Sequence, residues 1–143
     1  AGLGVIAGLL VTTATTNAGA ITNCTISYTN QAGTAGRTGT MASFPATAVI
    51  GSVVPFELQA GDTGVQSVQS ITLGTSLVTG AVSLILYRVI DAIAAVNANI
   101  AQTQPGAGLG NIRLWSNSCL LPLIYPSSTT VVNITSTLTV EER

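Results

Sequence analysis

Scarcity of charge constrains this chain more than any other feature. Four arginines and five acidic residues are all the ionic side chains in 143 residues, and lysine and histidine are absent. That is 6%, against roughly 25% for an ordinary soluble domain. Thr and Ser take most of the polar positions, and hydrophobic residues make up 47%. A surface made this way has little like-charge repulsion to hold copies apart, and its net charge of −1 favours association. Interface cores are depleted of charge in the same way. The composition therefore predicts a protein whose working state is not a monomer. Arg37, Arg88, Arg113 and Arg143 are scattered along the chain. They form no basic cluster of the kind that neutralises phosphates, so nucleic acid is not an expected partner.

Hydrophobicity at this level raises the question of a membrane. A spanning helix needs about 20 consecutive apolar residues. The run from Gly2 to Val11 ends at Thr12-Thr13-Ala14-Thr15-Thr16, and the run from Ala81 to Ile90 contains Ser83 and Arg88. Neither is long enough to span, and the first lacks the positively charged lead of a secretory signal. The expectation is a chain with no membrane partner and buried strands.

The pattern along the chain is that of β-structure. Residues 1–20, rich in Thr, Ala and Gly, read as an extended N-terminal arm or a first strand, and residues 21–143 as a single β domain. As an arm, the first segment has little to bury, so it would serve assembly more than folding, and deleting residues 1–16 would leave the fold intact. Ile21 to Tyr28 has the β-branched and aromatic content of a strand, and Asn30 to Thr40 reads as a surface loop. Val53 to Gln59 is a strand that Pro55 assigns to an edge. Val65 to Leu73 alternates, with Gln66, Val68, Ser70 and Thr72 on one face. Ala81 to Ile90 is apolar enough to be buried on both faces. Val82, Leu84, Leu86 and Ile71 are the predicted core. Residues 90–101 stay open between a short helix and a continued strand, because Val89, Ile93, Val96 and Ile100 recur at helical spacing. Thr129 to Val140 alternates as an antiparallel strand. The fold class is all-β, an antiparallel β-sandwich or jelly-roll.

No motif points to chemistry. Asp62-Thr63-Gly64 matches the tripeptide of aspartic proteases, but Ala60-Gly61 precedes it where a hydrophobic pair belongs, and no second copy exists. It reads as a β-turn. Gly2-Leu3-Gly4 with Gly8 has no strand ahead of it, as a dinucleotide loop requires. Gly106 to Gly110 lacks the lysine that holds a phosphate. Cys24 and Cys119 are the only cysteines. Without histidine they offer neither a zinc site nor an activated nucleophile. Two buried thiols are favoured over one disulfide. Asn23-Cys24-Thr25 and Asn133-Ile134-Thr135 match the glycosylation sequon by chance in a Thr-rich chain. Trp115, Tyr87 and Tyr125 read as core or interface aromatics. No catalytic, cofactor-binding or metal-binding residue is predicted, and no enzyme.

Phe56-Glu57-Leu58-Gln59-Ala60-Gly61-Asp62, Ile71-Thr72-Leu73, Ser83-Leu84-Ile85-Leu86-Tyr87-Arg88 and the terminal strand ending Glu141-Glu142-Arg143 together resemble the decoration (cement) proteins of tailed-bacteriophage heads. The resemblance spans about half of the chain and implies a small β-sandwich or jelly-roll, usually a homotrimer. Such a protein has the major capsid protein as partner and sits on the capsid surface of a virion assembled in the host cytoplasm. It would reinforce the lattice without catalysis or cofactor. The alternative is a secreted or cell-surface subunit of adhesin or pilus type, which a Cys24–Cys119 disulfide would favour.

Overall fold

In the computed structural model, residues 1–90 and 119–120 are described. Among them every regular element is a β-strand and every pairing is antiparallel. The strands are β1 (Ile6–Thr13), β2 (Thr15–Thr16), β3 (Cys24–Asn30), β4 (Arg37–Met41), β5 (Thr47–Ala48), β6 (Val53–Pro55), β7 (Val65–Thr72) and β8 (Ala81–Tyr87). One sheet runs β6-β1-β8 and a second β4-β3-β7, while β2 and β5 form a short ribbon.

The two larger sheets share one core, which makes the fold sandwich-like. Successive side chains on a strand point to opposite faces. From β1 this sends Ala7, Leu9 and Val11 inward, and from β3 Cys24, Ile26 and Tyr28, all buried. Met41, Phe44, Phe56 and Val65 close the same cluster. Each large side chain removed from water in this way stabilises the fold by about 1.5–3 kcal/mol.

The N-terminal segment is therefore a strand and not an arm. β1 is the middle strand of its sheet, with Leu9 opposite Val54 on one side and Leu84 on the other. Small residues let it sit there: the Tyr87 ring and the Val54 carbonyl lie so close over Gly8 that a side chain has almost no room. Of the two readings, arm or first strand, the position is that of a strand, and it argues against residues 1–16 being dispensable for folding.

The segment read as a loop over Asn30 to Thr40 is shorter than expected, because Arg37–Met41 pairs with β3. Gly39 disguised this strand. It faces Ile26, and a Cβ there would come within 2.8 Å of the Ile26 side chain, so glycine is needed for the close cross-strand approach. Pro55 lies on an edge, as expected: β6 pairs with β1 alone among the described residues.

Two further readings are corrected. β7 does not alternate with period two. Its register against β3 slips twice, pairing Ser27 with Ser70, Tyr28 with Val68, Thr29 with Ser67 and Asn30 with Val65. Gln69 and Gln66 are the extra residues of two bulges. The sequence Val-Gln-Ser-Val-Gln-Ser-Ile thus points Val65, Val68 and Ile71 to the core side with period three, and not Gln66, Val68, Ser70 and Thr72 to one face. Nor is β8 buried on both faces. Val82 and Leu84 pack against the core partly buried, but Leu86 is 46% exposed and Ile71 39%. The core is centred on β1 and β3, and β7 and β8 are the outer strands of their sheets. Residues 91–101, left open between helix and strand, and the alternating stretch Thr129 to Val140 lie outside the described residues.

Candidate interaction surfaces

Asp62 sits in the turn that follows Gln59, where its N–H donates to the Gln59 carbonyl at 3.0 Å and Gly61 takes a φ of 87°. The turn itself is Ala60-Gly61, one step ahead of the Asp-Thr-Gly tripeptide: Asp62 closes it and Gly64 already bridges to Leu3. The side chain of Asp62 is nevertheless only 3% exposed. Arg37 Nε donates to one carboxylate oxygen at 2.9 Å and Arg37 Nη2 to the other at 3.3 Å. Tyr28 Oη donates to Asp62 at 2.5 Å, and Asn30 Nδ2 at 2.8 Å. The Gln59 N–H in turn donates to Tyr28 Oη at 3.0 Å.

These donors come from β3 and β4, so one carboxylate pins the turn to the hairpin. The Arg37 guanidinium and then the Tyr28 hydroxyl hold the Asp62 carboxyl down at about 2. Burial, followed by the bond to Asp62, pushes the Tyr28 phenol upward. Both carboxylate oxygens are occupied, the arrangement of a structural ion pair. Sequence reasoning missed this cluster. The sequence offered only a partial signal: Arg37 is the one cationic side chain in residues 1–87, and Glu57 and Asp62 are equally available partners for it.

Gly2-Leu3-Gly4 also resolves into architecture. Leu3 bridges to Gly64, the Gly4 N–H donates to the Thr63 carbonyl at 2.9 Å, and a Cβ on Gly64 would overlap the Gly2 carbonyl. The chain crosses itself there too closely for side chains. Cys24 is buried and Cys119 exposed, and both thiols are free. One of the two cysteines is thus the buried thiol expected. Asn23 is exposed, in a left-handed φ of 58°, at the turn leading into β3. Tyr87 covers Gly8. Trp115, Tyr125, Asn133, Arg113, Arg143 and Gly106 to Gly110 lie outside the described residues. Among the described residues no three His, Cys, Asp or Glu side chains gather as metal ligands, and no helix is long and apolar enough to cross a membrane.

Two surfaces remain. The outer face of β4-β3-β7 carries hydroxyls in register: Thr40, Thr25 and Thr72 form one row across the three strands, and Thr38, Ser27 and Ser70 the next. Thr29 and Ser67 follow, with Gln69 Nε2 donating to the hydroxyls of both at 3.0 and 2.9 Å. Rows on one face repeat every second residue, about 6.6–6.8 Å apart, on strands about 4.8 Å apart. Each hydroxyl donates and accepts, and no ionic side chain stands in these rows, so a partner docking here needs no compensating charge.

The second surface is apolar. An open depression of about 270 Å³ beside β8 is lined by Leu10, Ile85, Leu86, Tyr87 and Cys119. Leu3, Val49, Ile50, Val78, Val89 and Leu120 are also exposed on the described residues. No family model matches this chain, and neither a curated protein nor a solved structure does.

Proposed function

We propose that this chain is a structural subunit of a virion, a decoration protein that binds the outer capsid lattice and reinforces it without catalysis. The observation that carries the reading is the uncharged hydroxyl face of β4-β3-β7 on a chain with 6% charged residues. A protein that works alone in water normally has a charged surface. This one presents hydroxyls in rows and exposed leucine and valine, which suits a surface destined to be covered by the major capsid protein and by further copies of itself, a homotrimer by the resemblance. The mechanism is passive. A protein that binds assembled capsid and not its free subunits stabilises the assembled form by mass action. The adhesin or pilus-type alternative drew on a Cys24–Cys119 disulfide, and both thiols are free.

The test has two parts. Genes for a portal, a protease and a major capsid protein should neighbour the coding sequence. The purified chain should then co-sediment with heads assembled from that capsid protein and raise their disassembly temperature. Binding should change little between about 50 mM and about 500 mM salt, because no ionic side chain stands in the hydroxyl rows. Failure to bind heads, or binding that collapses across that salt range, refutes the reading.

A further inference from the structure

We propose that two copies of this chain exchange the segment Ile6–Thr16, each placing β1 and β2 in the sheets of the other by opening a hinge at Asn17–Ala20.

The topology isolates this segment. β1 pairs with β6 and β8, and β2 with β5, so every described strand it pairs with lies beyond the hinge. β1 and β2 do not pair with each other. One short connection, Asn17-Ala18-Gly19-Ala20, carries the segment to those strands. An element held in this way keeps its contacts when a second copy offers the same strands. Leu9 again faces Val54 and Leu84, and Ala7, Leu9 and Val11 are again buried, now in the second copy. No ionic side chain stands in β1, β2, β5, β6 or β8, so nothing repels the incoming strands. The exchange uses only contacts that the folded chain already makes.

The hinge alone distinguishes the closed form from the exchanged one, so the hinge decides between them. Its ends are fixed. The Thr16 hydroxyl meets that of Thr79 at 2.5 Å, and Ile21 exchanges backbone hydrogen bonds of 2.9 and 2.8 Å with Phe44. Between them Ala18, Gly19 and Ala20 are exposed, and a Cβ on Gly19 would meet nothing within 4 Å. The closed hinge is also imperfect. Asn17 is 8% exposed, and its Nδ2 has no acceptor among the described residues. Turning the amide over does not help, because the Val78 N–H donates to Oδ1 at 3.2 Å and would then face another N–H. A buried donor without an acceptor has lost its hydration and gained nothing. Straightening the hinge returns Asn17 to water. The bonds it gives up there, to the Ala46 carbonyl at 2.8 Å and from Val78, pass to water as well. Extended, the five Cα steps from Thr16 to Ile21 reach about 17 Å, enough to cross between copies at a shared two-fold axis. A short hinge under strain is the arrangement that favours exchange.

The experiment uses the full chain without capsids. Refolded from urea at about 1 µM it should be a monomer, and at about 200 µM a dimer, by sedimentation velocity. Because β1 must leave a core to return, the dimer should persist after dilution. Leu10 and Ser83 face each other across β1 and β8. A Leu10→Cys chain refolded together with a Ser83→Cys chain, both carrying Cys119→Ser, should give a disulfide-linked heterodimer when oxidised glutathione is added after folding. The same chains refolded apart and then mixed should not. Three Gly-Ser pairs inserted after Gly19 should shift the equilibrium towards monomer at least about tenfold. A chain that stays monomeric after refolding at the upper concentration overturns the proposal. So does a dimer that fails to cross-link between positions 10 and 83, and so does an insertion that leaves the dimer unchanged. If the insertion variant does not fold, the cross-linking result decides alone. None of these readouts depends on a capsid, so they stand or fall separately from the proposed function.

Discussion

Leu9→Ala and Leu86→Ala, measured as a pair, test where the core lies. Both leucines belong to the β1–β8 sheet and point to its inner side, and by sequence they look equally suited to a core. Leu9 is 1% exposed, with Val54 and Leu84 across from it on the two neighbouring strands, so its site cannot collapse easily when the side chain is cut back. Truncating such a leucine costs its transfer free energy plus a cavity term, about 3–4 kcal/mol here. In a chain of this size that lowers Tm by about 10 °C. Leu86 is 46% exposed. It forfeits about half of a transfer term of roughly 2.4 kcal/mol and leaves no closed cavity, so about 1 kcal/mol is expected. Urea and thermal unfolding followed by circular dichroism give both values, at low micromolar concentration to keep self-association out of the reading. Equal losses at the two positions would show that the inner side of β8 is as enclosed as that of β1, and the assignment of the core would fail.

Three other outcomes follow from the same geometry. Asp62 has a folded-state value near 2, below the ordinary 3.8. Its contribution is therefore complete above about pH 4 and lost as acid takes the solution from about 4 towards 2, where the unfolded chain binds the proton first. The Tm of Asp62→Asn should be lower at neutral pH, and its acid slope should flatten there relative to the parent. A thiol reagent should modify Cys119 in the native chain at once and Cys24 only after denaturation, because Cys24 is buried; two fast thiols would contradict the placement of β3. Deleting residues 1–16 removes β1 and both of its partners' pairings, so the product should show neither a cooperative melt nor the parent's β circular dichroism.

How much of this was legible in the sequence depended on whether the local pattern obeyed a period. Ile21 to Tyr28 reads as a strand from its β-branched and aromatic content and holds most of β3, and Pro55 marks the edge position of β6 because a missing N–H cannot serve a ladder on both sides. β7 misled because two bulges replace period two by period three, a change that only the partner strand reveals. β4 was hidden by Gly39, which suggests a turn in isolation but is required by the bulk of Ile26 across the ladder. β1 was misjudged because small side chains were equated with little burial, whereas a central strand can be buried by its neighbours. The turn ahead of Asp62 was readable from Gly61. The cluster around it was not, since Tyr28, Asn30 and Arg37 come together only through the β3–β4 hairpin.

The position of β1 also sets a timetable. It is made before the other described strands, yet Leu9 meets Leu84, 75 positions further on. At about 5–20 residues per second, a ribosome needs roughly 4–15 s to deliver that partner. Throughout that interval Ile-Ala-Gly-Leu-Leu-Val waits with one flank of its sheet missing, while the β3–β4 hairpin can close almost as soon as it emerges. Pairings so distant in sequence make folding slow. The central strand of this protein is thus the one longest at risk of capture by a neighbouring nascent chain, and expression at lower temperature or with a holding chaperone should raise the soluble yield.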